Sequence, residues 1–359
     1  MRQSRSLPLL AAFLTVTVGI GVACSDGPIS PPPPPARALT APTWSRTAAA
    51  DFHRTNPQDW VGQSHNRAMD AFFKRLATHH GRTDVCTNIR AVVADPTLLP
   101  AKHRSERNAA AVAIGDRMLR DLGCPTVGQV GQVPVAAHAT VTLASAHPED
   151  LRFVQSTTLS PEAGSLVTQL ADANSYATDP TDLANRYNAI LPGTAVLSPV
   201  EAEVVNATAS VGLYSMEYWS ANLDATRAAT RDAYGTCIQS YAETTDLGTT
   251  LWTCMGLAGP ASTTLPVRFE GPARVGGLRL VIGACNAFSL SNVLKYDFTG
   301  AFAGGIMAAV TTTPVAPVSV PFTAFWSGFG ASVGGGLWDA GADIWCEVST
   351  YQRRQRATT

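Results

Sequence analysis

Charge is scarce in this chain. Asp, Glu, Lys and Arg make up 15% of its 359 residues, and the formal net charge is −1. No long run of Lys or Arg occurs, so the electrostatic footprint of a nucleic-acid binder is missing and nucleic acid is not expected as a partner. From Phe298 to Trp338 charge is absent altogether, with Asp297 and Asp339 standing at the two edges. There is no C-x-x-C pair, which argues against a zinc ribbon or a thioredoxin-like redox site. Histidine is absent beyond His147. Among His53, His65, His79, His80, His103, His138 and His147 no two have the i, i+4 spacing of a helix-borne zinc motif, and adjacent His79 and His80 cannot face one site from a regular helix. Neither a metal nor a cofactor is expected. Strand signals are few as well: residues 139–143 alternate, and 265–269 do so briefly.

The N-terminus is more explicit. Arg2 and Arg5 precede an uncharged run from Leu7 to Val22, too short to span a membrane comfortably and typical of a secretory signal. The run closes on Gly21-Val22-Ala23-Cys24, which resembles the bacterial lipoprotein signal, in which the cysteine is acylated and becomes the mature N-terminus. That resemblance implies removal of residues 1–23, lipidation of Cys24, and a place in the cell envelope with the membrane as partner through the lipid. Ser25, with no Asp after the cysteine, is similar to the outer-membrane sorting pattern; a periplasmic face, or plain secretion with cleavage nearby, is the alternative. Ser30 and the prolines Pro31 to Pro35 open a polar stretch that runs to about Ala50. Residues 24–50 are read as an extended stalk, about 3 Å per residue where polyproline-like, or as a leader without a spacing role.

Beyond Cys24 six cysteines remain, Cys86, Cys124, Cys237, Cys254, Cys285 and Cys346. An even number in an exported chain reads as three disulfides. Several connectivities are open. Sequential pairing, Cys86 with Cys124, Cys237 with Cys254 and Cys285 with Cys346, closes the shortest loops and is favoured. Helix signals dominate. Asn56-Pro57-Gln58-Asp59 combines an N-cap, a proline at the first turn and an acid, and His65, Ala68, Met69, Phe72, Phe73 and Leu76 follow at helical spacing. A second helix is expected from Arg104 to Leu122. Ser160-Pro161-Glu162 and Ser198-Pro199-Val200-Glu201 open two more, the latter with a capping box and an apolar period lasting to about Leu223. The fold class is therefore mainly α, a disulfide-braced helical domain over 51–284 with a C-terminal Gly-rich helical hairpin over 285–346 and a polar tail over 347–359.

In the uncharged segment Gly300, Gly304 and Gly305 precede a Thr/Pro-rich break at Thr311 to Pro321, and Gly328, Gly330, Gly334, Gly335, Gly336 and Gly341 follow. Glycines three and four apart let two helices approach closely, as in membrane-embedded helix pairs. In water each glycine costs a helix about 1 kcal/mol relative to Ala. The arms therefore need a bilayer, another copy of the chain, or the protein's own core around them; homo-oligomer or membrane contact through 298–338 stands beside the core reading.

Three patches carry a resemblance: N-P-x-D-x-x-G-x-x-H-N at Asn56, Pro57, Asp59, Gly62, His65 and Asn66; Glu217-Tyr218-Trp219; and an Asp followed by the glycine-rich tail. Together they resemble a group of uncharacterised exported bacterial lipoproteins, whose tails are similar to the glycine zippers of small bacteriocins. This implies a bacterial, exported, mainly helical protein and carries over no catalytic residue. On chemistry alone, His65 with Asn66 and Asp59 is the candidate site, either as a base oriented by a carboxylate or, ranked ahead, as a polar knot that fixes helix register. Gly330-Ala331-Ser332-Val333-Gly334 matches G-x-S-x-G, but no histidine follows Ser332 to complete a hydrolase order. Tyr214, Tyr218, Trp219 and Trp252 either line a groove or belong to the core. The leading expectation is a lipid-anchored envelope protein that binds or interacts and is not an enzyme. A membrane-active or self-associating bacteriocin-like protein is the second, and an envelope hydrolase using His65 the third.

Overall fold

A computed structural model of the chain describes residues 46–79, 84–121, 124, 159–241, 247–256, 288–311 and 318–358. The expected signal segment, Cys24, the prolines, the alternating stretches 139–143 and 265–269, and Cys285 lie outside the described residues. Those described are helical almost throughout and include no strand. The helices are α1 (Arg46–Thr55), α2 (Asp59–His79), α3 (Val85–Ala94), α4 (Ala109–Asp121), α5 (Pro161–Tyr176), α6 (Pro180–Ile190), α7 (Pro199–Tyr241), α8 (Leu247–Met255), α9 (Leu290–Thr311) and α10 (Val320–Thr358). Short 3₁₀ turns occupy Pro96–Leu98, Ala101–Glu106 and Leu191–Val196.

Side-chain caps decide where several of these helices begin. Asp84 accepts from Thr87 N at 2.7 Å at the start of α3, and Asp179 accepts from Thr181 N and Asp182 N at the start of α6. Such bonds satisfy amide groups that no helical carbonyl can reach. Glu201 serves two helices at once. Its Oε2 accepts from Ser198 N at 3.2 Å in the capping box of α7, while Oε1 accepts from Ser160 N at 2.7 Å at the head of α5. The Ser160 amide and the Ser198 hydroxyl together hold the Glu201 carboxyl down at about 2. The stabilisation it brings is thus present above the ordinary carboxylate range and is lost only as pH falls toward that value.

Several boundaries differ from those read in the sequence. α1 begins at Arg46, inside the expected stalk, because Ala48, Ala49 and Phe52 are buried against the body of the protein. Asn56 and Pro57 form a turn ahead of α2 instead of its cap: the Asn56 side chain accepts from Gln58 N at 2.8 Å and donates to Asn206 O at 3.0 Å. The helix expected over 104–122 is split, since Asn108 accepts from Ala111 N at 2.9 Å and starts α4 afresh. α7 continues well past Leu223 to Tyr241, and α10 runs through the expected polar tail to Thr358.

Helices α2, α7, α9 and α10 form the central bundle. Asn56 meets Asn206 and Asn66 meets Tyr214, so α2 and α7 run in the same direction. Gly305 lies by Val204 and Gly212 by Phe298, so α9 runs against α7. Gly304 faces Thr323, Gly300 faces Ser327 and Tyr296 reaches Asp339, which makes α9 and α10 an antiparallel hairpin. Its backbones come very close: a Cβ on Gly304 would stand 2.5 Å from Thr323 O and 2.5 Å from Ser327 Oγ. The hairpin is interior. Residues 297–308 are buried without a break, and α4 covers α10 through Gly115 against the Trp326 ring. Among the described residues no helix is long and apolar enough to cross a membrane. The described segments of the expected domain and of the hairpin belong to one compact unit.

Cys86 and Cys124 form a disulfide that ties α3 to the end of α4, with Cα atoms 5.5 Å apart. Cys237 and Cys254 form another between α7 and α8, at 5.7 Å. Cys346 is also disulfide-bonded; its partner lies outside the described residues. Gly304→Val should lower unfolding stability by about 2 kcal/mol, the usual scale for overpacking a tight core. The readout is a reduced midpoint in urea with an unchanged slope, and an unmoved midpoint would mean that α9 and α10 do not meet at this depth.

Candidate functional site

The three patches that are far apart in the chain meet in space. The N-P-x-D-x-x-G-x-x-H-N stretch lies along α7 as a docking strip, and Asn56, Asp59, Gly62 and Asn66 each bond to a residue of α7. Gly62 permits the approach: a Cβ would sit 2.4 Å from both Ser210 O and Tyr214 Cδ2. Its N–H donates to Ser210 Oγ at 2.9 Å, and that hydroxyl donates in turn to Asp59 O at 3.0 Å. Asn66 Nδ2 donates to Tyr214 O at 2.7 Å. Asn66 therefore fastens the backbone of α7.

His65 is fully buried and turns toward α9. Its Nδ1 lies 3.2 Å from Asn66 Oδ1, and its Nε2 faces Asp297 Oδ2 at 3.9 Å, too long for a direct hydrogen bond. The carboxylate near His65 is thus Asp297 and not Asp59. Trp219 Nε1–H donates to Asp297 Oδ2 at 2.8 Å, and the hydroxyls of Ser215 and Ser332 lie near this carboxyl without a hydrogen bond to it. Burial pushes His65 down and Asp297 up, in each case toward the uncharged form. Ser332, the centre of the G-x-S-x-G match, is a buried residue in the middle of α10, with none of the strand-to-helix turn a nucleophile elbow needs. Tyr218 and Trp219 belong to the core; Tyr214 is half-buried, and the Trp252 side chain lies outside the described residues.

Asp59 belongs to a second, shallower cluster. Its Oδ1 lies 2.7 Å from His53 Nδ1, and its Oδ2 accepts from Tyr214 Oη at 3.1 Å. His53 Nε2 faces Glu217 Oε1 at 3.3 Å, and the imidazole lies against the Tyr214 ring with centroids 4.6 Å apart. Burial opposes the charge on His53, but the bonds to Asp59 and Glu217 outweigh it and raise the group to about 9. Sequence reasoning passed over His53 because it lies across the Asn56-Pro57 turn from Asp59, where no helical spacing relates the two. Glu217 and Trp219 were visible as part of a motif, though without a role.

A third group of acids sits nearer the base of the hairpin. Asp339 is buried, bonded to Tyr296 Oη at 3.4 Å, and burial raises it to about 8 with Asp343 nearby adding to the shift. Asp343 accepts from Phe288 N at 3.3 Å and faces Arg227 at 3.6 Å. His103 stacks on Trp60, with ring centroids 4.2 Å apart. The described histidines thus stand in separate places, and among the described residues no group of three His, Cys, Asp or Glu side chains is arranged to hold a metal ion. His80, His138 and His147 and the His79 side chain lie outside them.

Two substitutions probe these acids. Asp297→Leu should cost about 2–4 kcal/mol by orphaning the Trp219 donor in the buried core, whereas Asp297→Asn keeps an acceptor and should cost clearly less. Equal losses in chemical denaturation would show that the Trp219 bond does not matter. Asp339 is raised in the fold, so its contribution is complete below the ordinary carboxylate range and is lost as pH rises through about 8. Asp339→Asn should therefore melt higher than the parent at pH 9 and lose that advantage toward pH 4.

No protein-family model, curated protein or solved structure matches this chain.

Proposed function

We propose that this is an exported protein of the bacterial cell envelope, lipid-anchored at Cys24, that works by binding or interaction and not by catalysis. The observation that supports it most is the use made of the chemically capable residues. His65, Asp297, Ser332 and Trp219 are buried inside the bundle, and the bonds from Asn66 to Tyr214 and from Trp219 to Asp297 link α2, α7 and α9, leaving the imidazole no opening toward a substrate. Asp59, the other candidate, is bonded on both oxygens. A base needs hydrogen-bond reach to a substrate proton, and a fully buried one in a packed core lacks it.

The disulfides Cys86–Cys124 and Cys237–Cys254 support an oxidising compartment, as expected of a chain carrying a signal segment. The lipoprotein-like Gly21-Val22-Ala23-Cys24 supports the mode of attachment. The burial of residues 297–308 favours a hairpin that serves as core, the bacteriocin-like reading of membrane insertion being the rival.

The test is fractionation of the full chain expressed in a diderm bacterium. The parent should sediment with membranes and incorporate labelled palmitate, and Cys24→Ala should do neither, appearing in the soluble fraction with its disulfides formed. Membrane retention of Cys24→Ala would overturn the anchor and point to the hairpin as the membrane element.

A further inference from the structure

We infer that His53 is a proton-operated latch that fastens α1 to the seam between α2 and α7, closed when the imidazole carries both protons and open when it loses one. The inference concerns α1 alone and does not rest on the lipid anchor. Both ring nitrogens face carboxylate oxygens: Nδ1 has Asp59 Oδ1 at 2.7 Å and Nε2 has Glu217 Oε1 at 3.3 Å. An ionised carboxylate can only accept, and a neutral imidazole has one N–H to give. Only the imidazolium satisfies both bonds, and removing its proton leaves one nitrogen lone pair facing an anion.

Two neighbouring helices present these partners. α2 supplies Asp59, and α7 supplies Glu217 together with Tyr214, whose hydroxyl donates to the other Asp59 oxygen and whose ring covers the imidazole. Arg67 of α2 acts on Tyr214. On α1 itself Arg54 pairs with Asp51 at 2.8 Å, and on α6 Arg186 pairs with Asp182 at 2.9 Å, so each of these charges is engaged within its own helix. His53 is about a quarter exposed, which gives solvent protons access. The raised affinity of His53 for its proton, to about 9, is the same coupling seen from the other side.

α1 is well suited to be released alone. Apart from the latch, it is held by the burial of Ala48, Ala49 and Phe52, with Phe52 and Tyr187 ring centroids 5.9 Å apart, and by Asn188 Nδ2 donating to Ala48 O at 2.9 Å. It lies at the edge of the bundle, whereas α2, α7, α9 and α10 are bound to one another along their lengths.

The test is hydrogen–deuterium exchange of the full chain between pH 7 and pH 10, corrected for intrinsic rates, following α1 against α9 and repeated in Asp339→Asn, which removes the hairpin's own alkaline response. One pKa unit is a factor of ten in the closing equilibrium. Protection of α1 should fall by at least about tenfold across this range while α9 keeps its own. His53→Gln should show the low α1 protection already at pH 7, and Glu217→Gln should move the loss to lower pH. Protection of α1 that stays flat to pH 10, or that falls in step with α9 in both proteins, would overturn the latch. So would a Glu217→Gln protein whose α1 opens at the parent's pH, which keeps the idea testable even if His53→Gln does not fold.

Discussion

Backbone-to-backbone approach governs this structure. At Gly62 against Ser210, at Gly300 against Ser327 and at Gly304 against Thr323, helices come closer than any side chain allows. That closeness brings short polar side chains within reach across the seams. Ser210 can bridge two backbone groups of α2, and Asn66 can reach a carbonyl of α7, only because nothing larger stands between the helices. Glycine is a poor helix former in water, so these contacts cost intrinsic helicity, and tertiary packing offsets that cost. The bulk missing from the seams is made up beside them: Trp219, Phe302, Phe325, Trp326 and Phe329 are buried around the glycine positions.

The electrostatics follow from the same packing. Carboxyls on α9 and α10 are enclosed where water cannot solvate them, so Asp297 and Asp339 are driven toward their neutral forms, while Glu201, reached by amide donors at the periphery, is driven the other way. A chain with few charges has placed several of them where burial decides their state. Its response to acid is set by the helix caps, and its response to alkali by the hairpin and by His53.

Much of the architecture was legible in the sequence. Apolar periodicity showed α2 and the first half of α7; proline with a preceding Ser marked α5 and α7, while α6 went unread; uncharged arms around a Thr/Pro break announced the hairpin. One boundary failed where a side chain bonded to a distant part of the chain, as Asn56 does to Asn206, since such a partner leaves no local trace; another failed at a local cap, Asn108. The candidate site was legible in part. His65 and Asn66 stood out by residue type, but the carboxyl that faces His65 comes from α9, and the imidazole that pairs with Asp59 comes from α1. Residue spacing reports neighbours along one helix and is silent about which helix will lie alongside.

The two amide bonds to Glu201 have a topological consequence. The chain departs from Ser160 into α5 and α6 and returns to Ser198, and one carboxylate grips both points. Residues 160–198 are therefore a closed excursion whose ends meet at a single side chain, leaving and rejoining the fold at nearly the same place. Such a loop contributes Val167, Leu170 and Tyr187 to the interior without dictating the path of the chain on either side of it. In the language of assembly, it is a module clasped at its neck, and α7 begins where that clasp closes.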